Sequence, residues 1–391
     1  MLKKGGDGMD AVYNWHRLVY NFLRLPMSIA TRARYGFRFG RPLKLPNPYI
    51  VVANHTTYWD QFLVGLSFAK HMYFLASEHS FRMGLQSIVM KAMAAPIGRV
   101  KGSTDASAVL GMLRRLKSGK NICFFPEGER SFDGRTADLH PSTAKLLRTA
   151  GVPVVTFRLK GGYLADPRWA KKRRHGNMRG KVVRIYQPEE LKKMSVAEIH
   201  DAVLSDIYED AWKTQREEMF TYKGRHLAEG LEEALFICPE CGGVDTMHGE
   251  GNVFSCRCGM RAGITDKAFF AEGAPFETIA DWDDWQRAEL GARVEKGGEI
   301  FSDEGAWLAS LGENHELVRV AEGDLVLADG TISVGEKSFP IAELSDFALC
   351  HGKKNETIMF TGGGVHYEMG LEGDHSRRKY ALAERMLRKK K

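Results

Sequence analysis

Short β-branched and aromatic runs alternate with amphipathic segments through the first 225 residues. The runs predict strands near 49–53, 72–75, 121–125, 153–157 and 181–186. Apolar positions at helical spacing predict a helix that begins at Ser103 or Asp105 and ends before Gly119, and a second helix over 142–150. This alternation predicts an α/β domain with a mainly parallel sheet and flanking helices.

The pattern changes in the second half of the chain. An acidic stretch around 281–285 predicts a helix. From about 315, short strands separated by turn signals such as Asp329-Gly330 predict a small β-rich domain, which closes with a helix near 376–388. This order resembles a pleckstrin-homology-like module. Lipid or partner binding and a purely stabilising role both remain open for it.

A histidine and a carboxylate follow the first predicted strand. The segment reads Asn-His-Thr-Thr-Tyr-Trp-Asp and places Asp60 five residues after His55. On a straight helix five residues separate two side chains by roughly 140°, so we place His55 just before a helix whose first turn carries Asp60. A carboxylate that holds one imidazole tautomer makes histidine a general base for a hydroxyl. A core histidine and a metal ligand are the alternatives for this motif by itself.

A second motif, Phe-Pro-Glu-Gly-Glu-Arg-Ser, follows the strand near 121–125 and contains Glu127, Gly128 and Arg130. Glycine allows a close approach of the backbone to a ligand, and arginine offers a planar fork to a phosphate. Ligands of open α/β sheets bind at the carboxyl ends of strands, so we expect both motifs in one site. The alternative is an ordinary turn with a solvated Glu-Arg pair. Ser131 lacks the Gly-x-Ser-x-Gly elbow of serine hydrolases, so we do not expect covalent catalysis.

The two motifs together resemble those of the glycerolipid acyltransferases, the 1-acylglycerol-3-phosphate acyltransferases and their relatives, over roughly residues 45–190. The resemblance implies that His55 takes the proton of an acceptor hydroxyl and that Asp60 holds and stabilises its ring. It also implies that Glu127, Gly128 and Arg130 bind the glycerol phosphate of the acceptor.

A third element of that family ends in an arginine that an acidic residue usually precedes. The counterpart here ends at Arg99, and Gly98 stands where the acid would be. The resemblance implies that Arg99 is a second phosphate ligand. It further implies an acyl donor, either acyl-CoA or acyl carrier protein, and a lysophospholipid acceptor. With 1-acylglycerol 3-phosphate, the family's commonest acceptor, the product would be phosphatidic acid.

Charge is distributed unevenly along the chain. Residues 1–225 hold 38 of the 56 basic and 19 of the 49 acidic residues, a net charge of +19, whereas the remainder carries −12. A basic catalytic half suits anionic partners such as phospholipid headgroups or the phosphates of coenzyme A. Nucleic acid would fit the same charge, but no nucleic-acid fold signature accompanies it, and the cysteine-rich half is the acidic one.

The first 44 residues combine apolar positions with arginines. No apolar run approaches the ~18–20 residues of a membrane span, and no signal peptide is evident. We expect this segment to lie on the cytoplasmic face of a membrane as a peripheral or monotopic anchor, with a helix packed on the core as the alternative. A basic run at 171–174 beside Trp169 is either a second membrane contact or a solvated loop. Arginines of this segment are expected to lie on lipid headgroups, and the pattern is carried by Val12, Trp15, Arg17, Val19, Phe22, Leu23, Arg24, Arg32, Arg34, Tyr35, Phe37, Arg38, Phe39 and Arg41.

Four cysteines in two close pairs open the second half. Cys238 and Cys241 are spaced as Cys-x2-Cys, and Cys256 and Cys258 as Cys-x-Cys. Four thiolates in two pairs are typical of a tetrahedral structural zinc site, and the segment resembles a zinc ribbon. The shorter second pair leaves His248 open as a substitute ligand. Disulfides are the alternative, although the lack of a secretory signal favours a reducing compartment.

These patterns predict four segments: a membrane-association segment over 1–44, an acyltransferase domain over 45–225, a zinc-ribbon-like domain over 232–263, and an acidic helical stretch with a β-rich domain over 264–391. The expected function is transfer of a fatty acyl group to a lysophospholipid at a membrane. Transfer to glycerol 3-phosphate or to a headgroup-bearing lysophospholipid, and a non-catalytic membrane adaptor, are the alternatives.

Overall fold

A computed structural model of the protein describes residues 6–77, 97–99, 105–312, 316–351, 356–373 and 375–389. The chain divides into two compact units. The first contains the described parts of 1–168, 172–225 and 266–268, and the second contains those of 169–171, 226–265 and 269–391.

The first unit is built on a seven-stranded sheet of order β1-β7-β6-β2-β5-β3-β4. Five of its six neighbouring strand pairs are parallel, and only β6 and β7 run antiparallel. The predicted α/β class with a mainly parallel sheet is therefore confirmed. The strands are Arg38–Phe39 (β1), Ile50–Ala53 (β2), Met72–Ser77 (β3), Ile97–Arg99 (β4), Asn121–Phe124 (β5), Val154–Lys160 (β6) and Arg179–Tyr186 (β7).

The central strands are apolar because helices cover the sheet. Val52, Ile122 and Val154 are fully buried in one core cluster, together with Ile199 and Val203 of an overlying helix. The two helices predicted near 105–117 and 142–150 are both present. The helices of this unit are Gly6–Tyr35, Asp60–Leu66, Asp105–Lys117, Ser142–Thr149, Gly162–Ala165, Pro188–Lys193, Val196–Ile207 and Ala211–Glu218.

The N-terminal helix Gly6–Tyr35 has one face on the domain and another in solvent. On the inner face, the Tyr20 hydroxyl donates to the Gly65 and Phe68 carbonyls, and the Arg24 guanidinium donates to the Phe68 carbonyl at 2.6 Å. Arg24 thus satisfies a carbonyl just beyond the end of the helix Asp60–Leu66. The side chain predicted to lie near lipid headgroups is an internal contact instead.

The solvent face of this helix carries an apolar stripe. Its five members are each more than 60% exposed and follow one another at intervals of three and four residues. This stripe is rotated from the predicted face, because Val19 and Leu23 are half-buried; the side chain of Val12 lies outside the described residues. The apolar stripe consists of Trp15, Leu18, Phe22, Leu25 and Ile29.

The chain enters the sheet directly after this helix. Strand β1 pairs with β7, and Tyr35 and Phe37 are buried. Their rings therefore pack inside the protein and do not face a bilayer as the sequence predicted. The sheet of the first unit also begins ahead of the boundary predicted at residue 44. Farther along, Trp169 and Arg174 are buried as well, so the basic run predicted at 171–174 is only partly exposed.

The second unit begins with a small antiparallel sheet of order β10-β9-β8 and a long helix, Ile279–Lys296, which confirms the helix predicted around 281–285. Trp282 of this helix is fully buried among aromatic rings, and its indole N–H donates to the carbonyl of Ile237, next to the first cysteine. The helix therefore supports the cysteine-bearing turns. The strands are Met247–Glu250 (β8), Val253–Cys256 (β9) and Arg261–Gly263 (β10).

A seven-stranded antiparallel sheet of order β14-β13-β12-β11-β17-β16-β15 follows. It starts sixteen residues earlier than predicted, because β11 pairs with β12 through three register shifts that disrupt the polar–apolar alternation. The chain closes with the predicted C-terminal helix, Arg378–Lys389. The strands are Glu299–Leu311 (β11), Leu317–Ala328 (β12), Thr331–Val334 (β13), Lys337–Pro340 (β14), Ser345–His351 (β15), Glu356–Gly362 (β16) and Val365–Leu371 (β17).

A buried ion pair joins the two helices of the second unit. Both nitrogens of the Arg378 guanidinium bond the Asp283 carboxylate at 2.7 Å, and Arg287 bonds the same carboxylate at 2.7 Å. Burial by itself would raise the pKa of Asp283, but the two guanidinium groups lower it to about 2. This ion pair therefore stabilises the fold at neutral pH.

We expect Arg378→Met to lower the free energy of unfolding by about 3–5 kcal/mol at pH 7, because it leaves a buried carboxylate short of its main partner. In the wild type the contribution of Asp283 should be full above pH 3.8 and lost as the pH falls through about 2, since the folded state holds the lower pKa. Urea unfolding at several pH values tests both statements. The exposed Lys389→Met on the same helix is the control, and an equal loss there would contradict the assignment.

Candidate active site

The turn after β2 brings His55 and Asp60 into direct contact. Asp60 is the first residue of the helix Asp60–Leu66, as the spacing predicted, and its Oδ2 lies 2.9 Å from His55 Nδ1. The Asp60 side chain is fully buried, whereas that of His55 is 22% exposed. With Nδ1–H donating to Asp60, Nε2 is the ring nitrogen that can accept a proton from another molecule.

The Asp60 carboxylate accepts further hydrogen bonds from the two threonines inside the motif. Oδ2 accepts the backbone N–H groups of Thr56 and Thr57, the latter at 2.9 Å. Oδ1 accepts the hydroxyls of Thr57 at 2.7 Å and Thr56 at 3.2 Å. A buried carboxylate requires such donors, and these bonds fix its orientation toward the imidazole. The role of these threonines was not predicted from the sequence, although two hydroxyls between a histidine and an aspartate were an available signal.

The loop that carries His55 is held from two sides. The Asn54 side chain donates to the Leu159 carbonyl at 2.8 Å and accepts from the Leu159 amide at 2.7 Å, which ties the loop to β6. The ring of Phe125, at the end of β5, stacks on the imidazole with centroids 4.4 Å apart. The histidine is therefore oriented by three neighbouring strands.

Glu127 joins the two motifs through the backbone. Its Oε1 accepts the amide of His55 at 2.6 Å, and its Oε2 accepts the amide of Ala137 at 2.8 Å. Burial raises the pKa of Glu127 to about 8, and the two amide donors act in the opposite direction. Within the described structure this carboxylate positions the histidine loop; its contact with a substrate stays a prediction.

Gly128 and Arg130 lie on the turn that follows. Gly128 has a φ of +78°, a left-handed conformation that favours glycine, and the space over its Cα is open. Arg130 belongs to a group of three arginines, with Arg34 and Arg173, whose charges act on Asp166. Burial raises the pKa of Asp166, and these charges with the Tyr35 hydroxyl lower it. Arginines from three segments that are distant in the sequence thus lie within electrostatic range of Asp166.

The structure describes the side chain of Ser131 but only the backbone of Arg99. The backbone of Arg99 ends strand β4, but its side chain lies outside the described residues. The Ser131 hydroxyl donates to Asp133 at 3.0 Å and accepts the Gly134 amide at 2.9 Å. That Ser131 is not a nucleophile stays a prediction.

The four cysteines of the second unit converge on one point. The Sγ atoms of Cys238, Cys241, Cys256 and Cys258 all lie within 4.8 Å of one another, and two of the pairs are 3.8 Å apart. Four sulfurs at the tetrahedral Zn–S distance would be separated by ~3.8 Å. His248 is 65% exposed and is not part of this group, so the short second pair does not require it as a ligand.

A second group of candidate ligands is an internal charge network. The candidate ligand atoms of Asp245, Asp303 and His375 lie within 4.8 Å of one another. However, the Lys379 ammonium bonds both carboxylates, at 2.9 Å for Asp303 Oδ1, and the Tyr380 hydroxyl donates to Asp303 at 2.7 Å. The lysine ammonium already occupies the space between the two carboxylates, so we do not assign a metal to them.

Comparison with known proteins places this site in a class. Residues 37–160 match the family model described as Acyltransferase. The chain is 29% identical over 143 residues to a chloroplastic 1-acyl-sn-glycerol-3-phosphate acyltransferase of Arabidopsis thaliana, covering 36% of this chain and 39% of that one. It is 28% identical over 115 residues to another from Brassica napus, covering 29% of this chain and 33% of that one. The chain therefore spans well under half the length of these curated relatives.

The matched segment is an acyltransferase domain. It is similar in sequence to the glycerolipid acyltransferases, as the paired motifs indicated. Among solved structures, a 1-acyl-sn-glycerophosphate acyltransferase from Thermotoga maritima is 22% identical, with a TM-score of 0.38 over 48% of this chain and 78% of that one, a likeness too low to support a conclusion.

Proposed function

We propose that the protein transfers a fatty acyl group from a thioester donor to the hydroxyl of a lysophospholipid, with 1-acylglycerol 3-phosphate as the acceptor and phosphatidic acid as the product. The observation that carries this proposal is the 2.9 Å contact between His55 Nδ1 and the buried, fully hydrogen-bonded carboxylate of Asp60. The names of the plant relatives support the acceptor.

In the proposed reaction, His55 Nε2 takes the proton of the acceptor hydroxyl as that oxygen attacks the thioester carbonyl carbon. The new C–O bond forms, the C–S bond breaks, and the imidazolium returns its proton to the leaving thiolate. Asp60 stabilises the imidazolium between these steps and keeps Nδ1 in the protonated tautomer. No covalent acyl-enzyme is needed, in agreement with the hydrogen bonds that occupy Ser131.

The acceptor phosphate is proposed to bind near Arg130, with Gly128 leaving room for it and Arg99 as a second ligand. Two further arginines act at the same place, since Arg34 and Arg173 share the neighbourhood of Asp166 with Arg130. A phosphate near Arg130 would lie in the positive field of these arginines, and a guanidinium can bind a phosphate through two parallel hydrogen bonds. Glu127 contributes by positioning the histidine loop.

The second unit is proposed to hold one structural zinc ion between Cys238, Cys241, Cys256 and Cys258. The sulfur separations of 3.8 Å fit a tetrahedral site, and all four positions are taken by protein ligands, which leaves none for a reaction. When bound, the metal would supply folding energy to the turns around the small sheet. The pleckstrin-homology-like interpretation of the following sheet stays a prediction.

We further propose that the apolar stripe docks the enzyme on a membrane surface. No helix in the described part of the chain is long and apolar enough to cross a bilayer. The stripe instead presents large side chains along about four turns of a helix, with exposed arginines such as Arg17 and Arg32 beside it. An amphipathic helix of this kind binds in the interface between headgroups and acyl chains.

The first experiment measures transfer of radiolabelled acyl groups from acyl-CoA, and separately from acyl carrier protein, to lysophosphatidate in anionic liposomes. We expect His55→Ala to lower kcat/KM at least a thousandfold, because no other described residue occupies the position of the base. Asp60→Asn should cost about a hundredfold or more, through the wrong tautomer. Ser131→Ala is the control and should retain most of the activity. Full activity of folded His55→Ala would refute the proposed chemistry.

For the metal, we expect about one zinc ion per chain by elemental analysis of the purified protein. Cys256→Ser or Cys258→Ser should lose most of it and lower the melting temperature, because a thiolate ligand is removed from a site that stabilises the fold. Cys350→Ala, outside the cluster, should keep the full zinc content. Equal zinc in the ligand variants and the wild type would contradict the assignment.

For the membrane, Phe22→Glu with Leu25→Glu should weaken binding to anionic liposomes at least tenfold in a co-sedimentation assay, since two charges would enter the apolar face. Asn21→Glu with Ala30→Glu adds the same charge to exposed positions of the same helix outside the stripe and should have a much smaller effect. Unchanged binding of the stripe variant, or a loss of self-association in its place, would show that the stripe serves another purpose.

A further inference from the structure

A cationic groove lies on the outer strands of the catalytic unit. It has a volume of about 640 Å3 and is formed by β1, β7 and β6. Phe39 and Val183 supply apolar surface to it. The charged residues that line it are Arg38, Arg158, Lys160, Arg179, Lys181 and a single acid, Glu218.

The register of the sheet places these cations opposite one another. Arg38 of β1 pairs with Arg179 of β7, and Arg179 pairs with Lys160 of β6. Two residues along, and therefore on the same face, Lys181 pairs with Arg158. Side chains at paired positions project from the same face, and like charges directly opposite are destabilising. The protein therefore maintains two rows of positive charge at an energetic cost.

Internal partners compensate only part of this charge. Glu218 pairs with Arg179, and the Glu209 carboxylate lies 3.7 Å from the Lys160 ammonium. Arg158 donates to the carbonyls of Ser205 and Asp206. Within the described residues no acidic side chain pairs with Arg38 or Lys181, and both are exposed. An anionic ligand would supply the negative charge that Arg38 and Lys181 lack in the described structure.

The groove begins on β6, the strand that pairs with β2 just before the catalytic loop. Leu159, between two of the cations on β6, exchanges two hydrogen bonds with Asn54, the neighbour of His55. Lys160 directly precedes Gly161 and Gly162, which line one small cavity together with His55. The groove extends from β6 over two more strands, a width of ~10 Å at the spacing of paired strands. A ligand with an extended arm could have one end in the groove and the other at the histidine.

We propose that this groove binds the phosphate-bearing end of a coenzyme A thioester and so assigns coenzyme A as the acyl carrier. The proposal rests on the proposed acyl transfer. The concave shape and volume are those of a small-molecule site. The 3′-phosphate and pyrophosphate would lie against the two rows of cations, and the adenine would lie against Phe39. The pantetheine arm would lead the thioester to His55.

The test uses the intact 391-residue chain and calorimetric titration with free coenzyme A and with dephospho-coenzyme A, which lacks the 3′-phosphate. Arg38→Glu with Lys181→Glu should weaken coenzyme A binding at least tenfold. Lys145→Glu with Arg148→Glu makes the same change in net charge at exposed positions of another helix and should change it less than twofold. Wild type should bind coenzyme A several times more tightly than the dephospho form. Unaltered affinity in the groove variant would overturn the proposal.

Enzyme kinetics and vesicle binding distinguish coenzyme A from the other anionic partners that the groove could bind, acyl carrier protein and an anionic membrane. With acyl-CoA the groove variant should show a KM raised about tenfold and little change in kcat, and with acyl carrier protein no change. If the groove variant lost only transfer from acyl carrier protein, or only binding to anionic vesicles, the groove would belong to that partner. Either result would overturn the coenzyme A proposal.

Binding of free coenzyme A requires no acyl transfer, so the two proposals fail separately. Coenzyme A binding that depends on the groove, with no transfer from any donor, would refute the proposed function alone. His55-dependent transfer with unaltered coenzyme A affinity in the groove variant would refute the groove alone.

Discussion

A buried carboxylate organises the catalytic unit. Asp60 has no contact with solvent, so its charge must be met inside the protein, and the turn after β2 supplies two backbone amides, two hydroxyls and the imidazole of His55. These donors can converge only if β2 ends where it does and the helix begins at Asp60. The geometry of the proposed base therefore follows from the need to stabilise one negative charge.

The same requirement links distant segments of the chain. Glu127 holds the amides of His55 and Ala137, and Asn54 holds Leu159, so the histidine loop is bonded to the turns after β5 and to β6. The two sequence motifs meet through the Glu127 carboxylate on the His55 amide and through the Phe125 ring stacked on the imidazole. This arrangement makes Glu127 a positioning residue in the described structure.

In the second unit, buried charges are likewise met by oppositely charged side chains inside the protein. Its helices are joined by the buried pair of Asp283 and Arg378, and the charge of Lys379 is met by Asp245 and Asp303. In the same way, the proposed zinc ion would meet the charge of the four cysteine thiolates. The basic groove differs from all of these, because its cations are only partly matched inside the protein and are accessible from outside.

The sequence by itself determined the features that depend on neighbouring residues. The spacing of His55 and Asp60, the cysteine pairs and the uninterrupted apolar strands of the central sheet are local patterns with few structural solutions. Only the tertiary structure decided which face of the N-terminal helix stays exposed, since that depends on Tyr20 and Arg24 finding carbonyls more than forty residues away. It also decided that Arg38 lies beside cations from β6 and β7, because strand register is set by packing across the whole sheet and leaves no trace in local spacing.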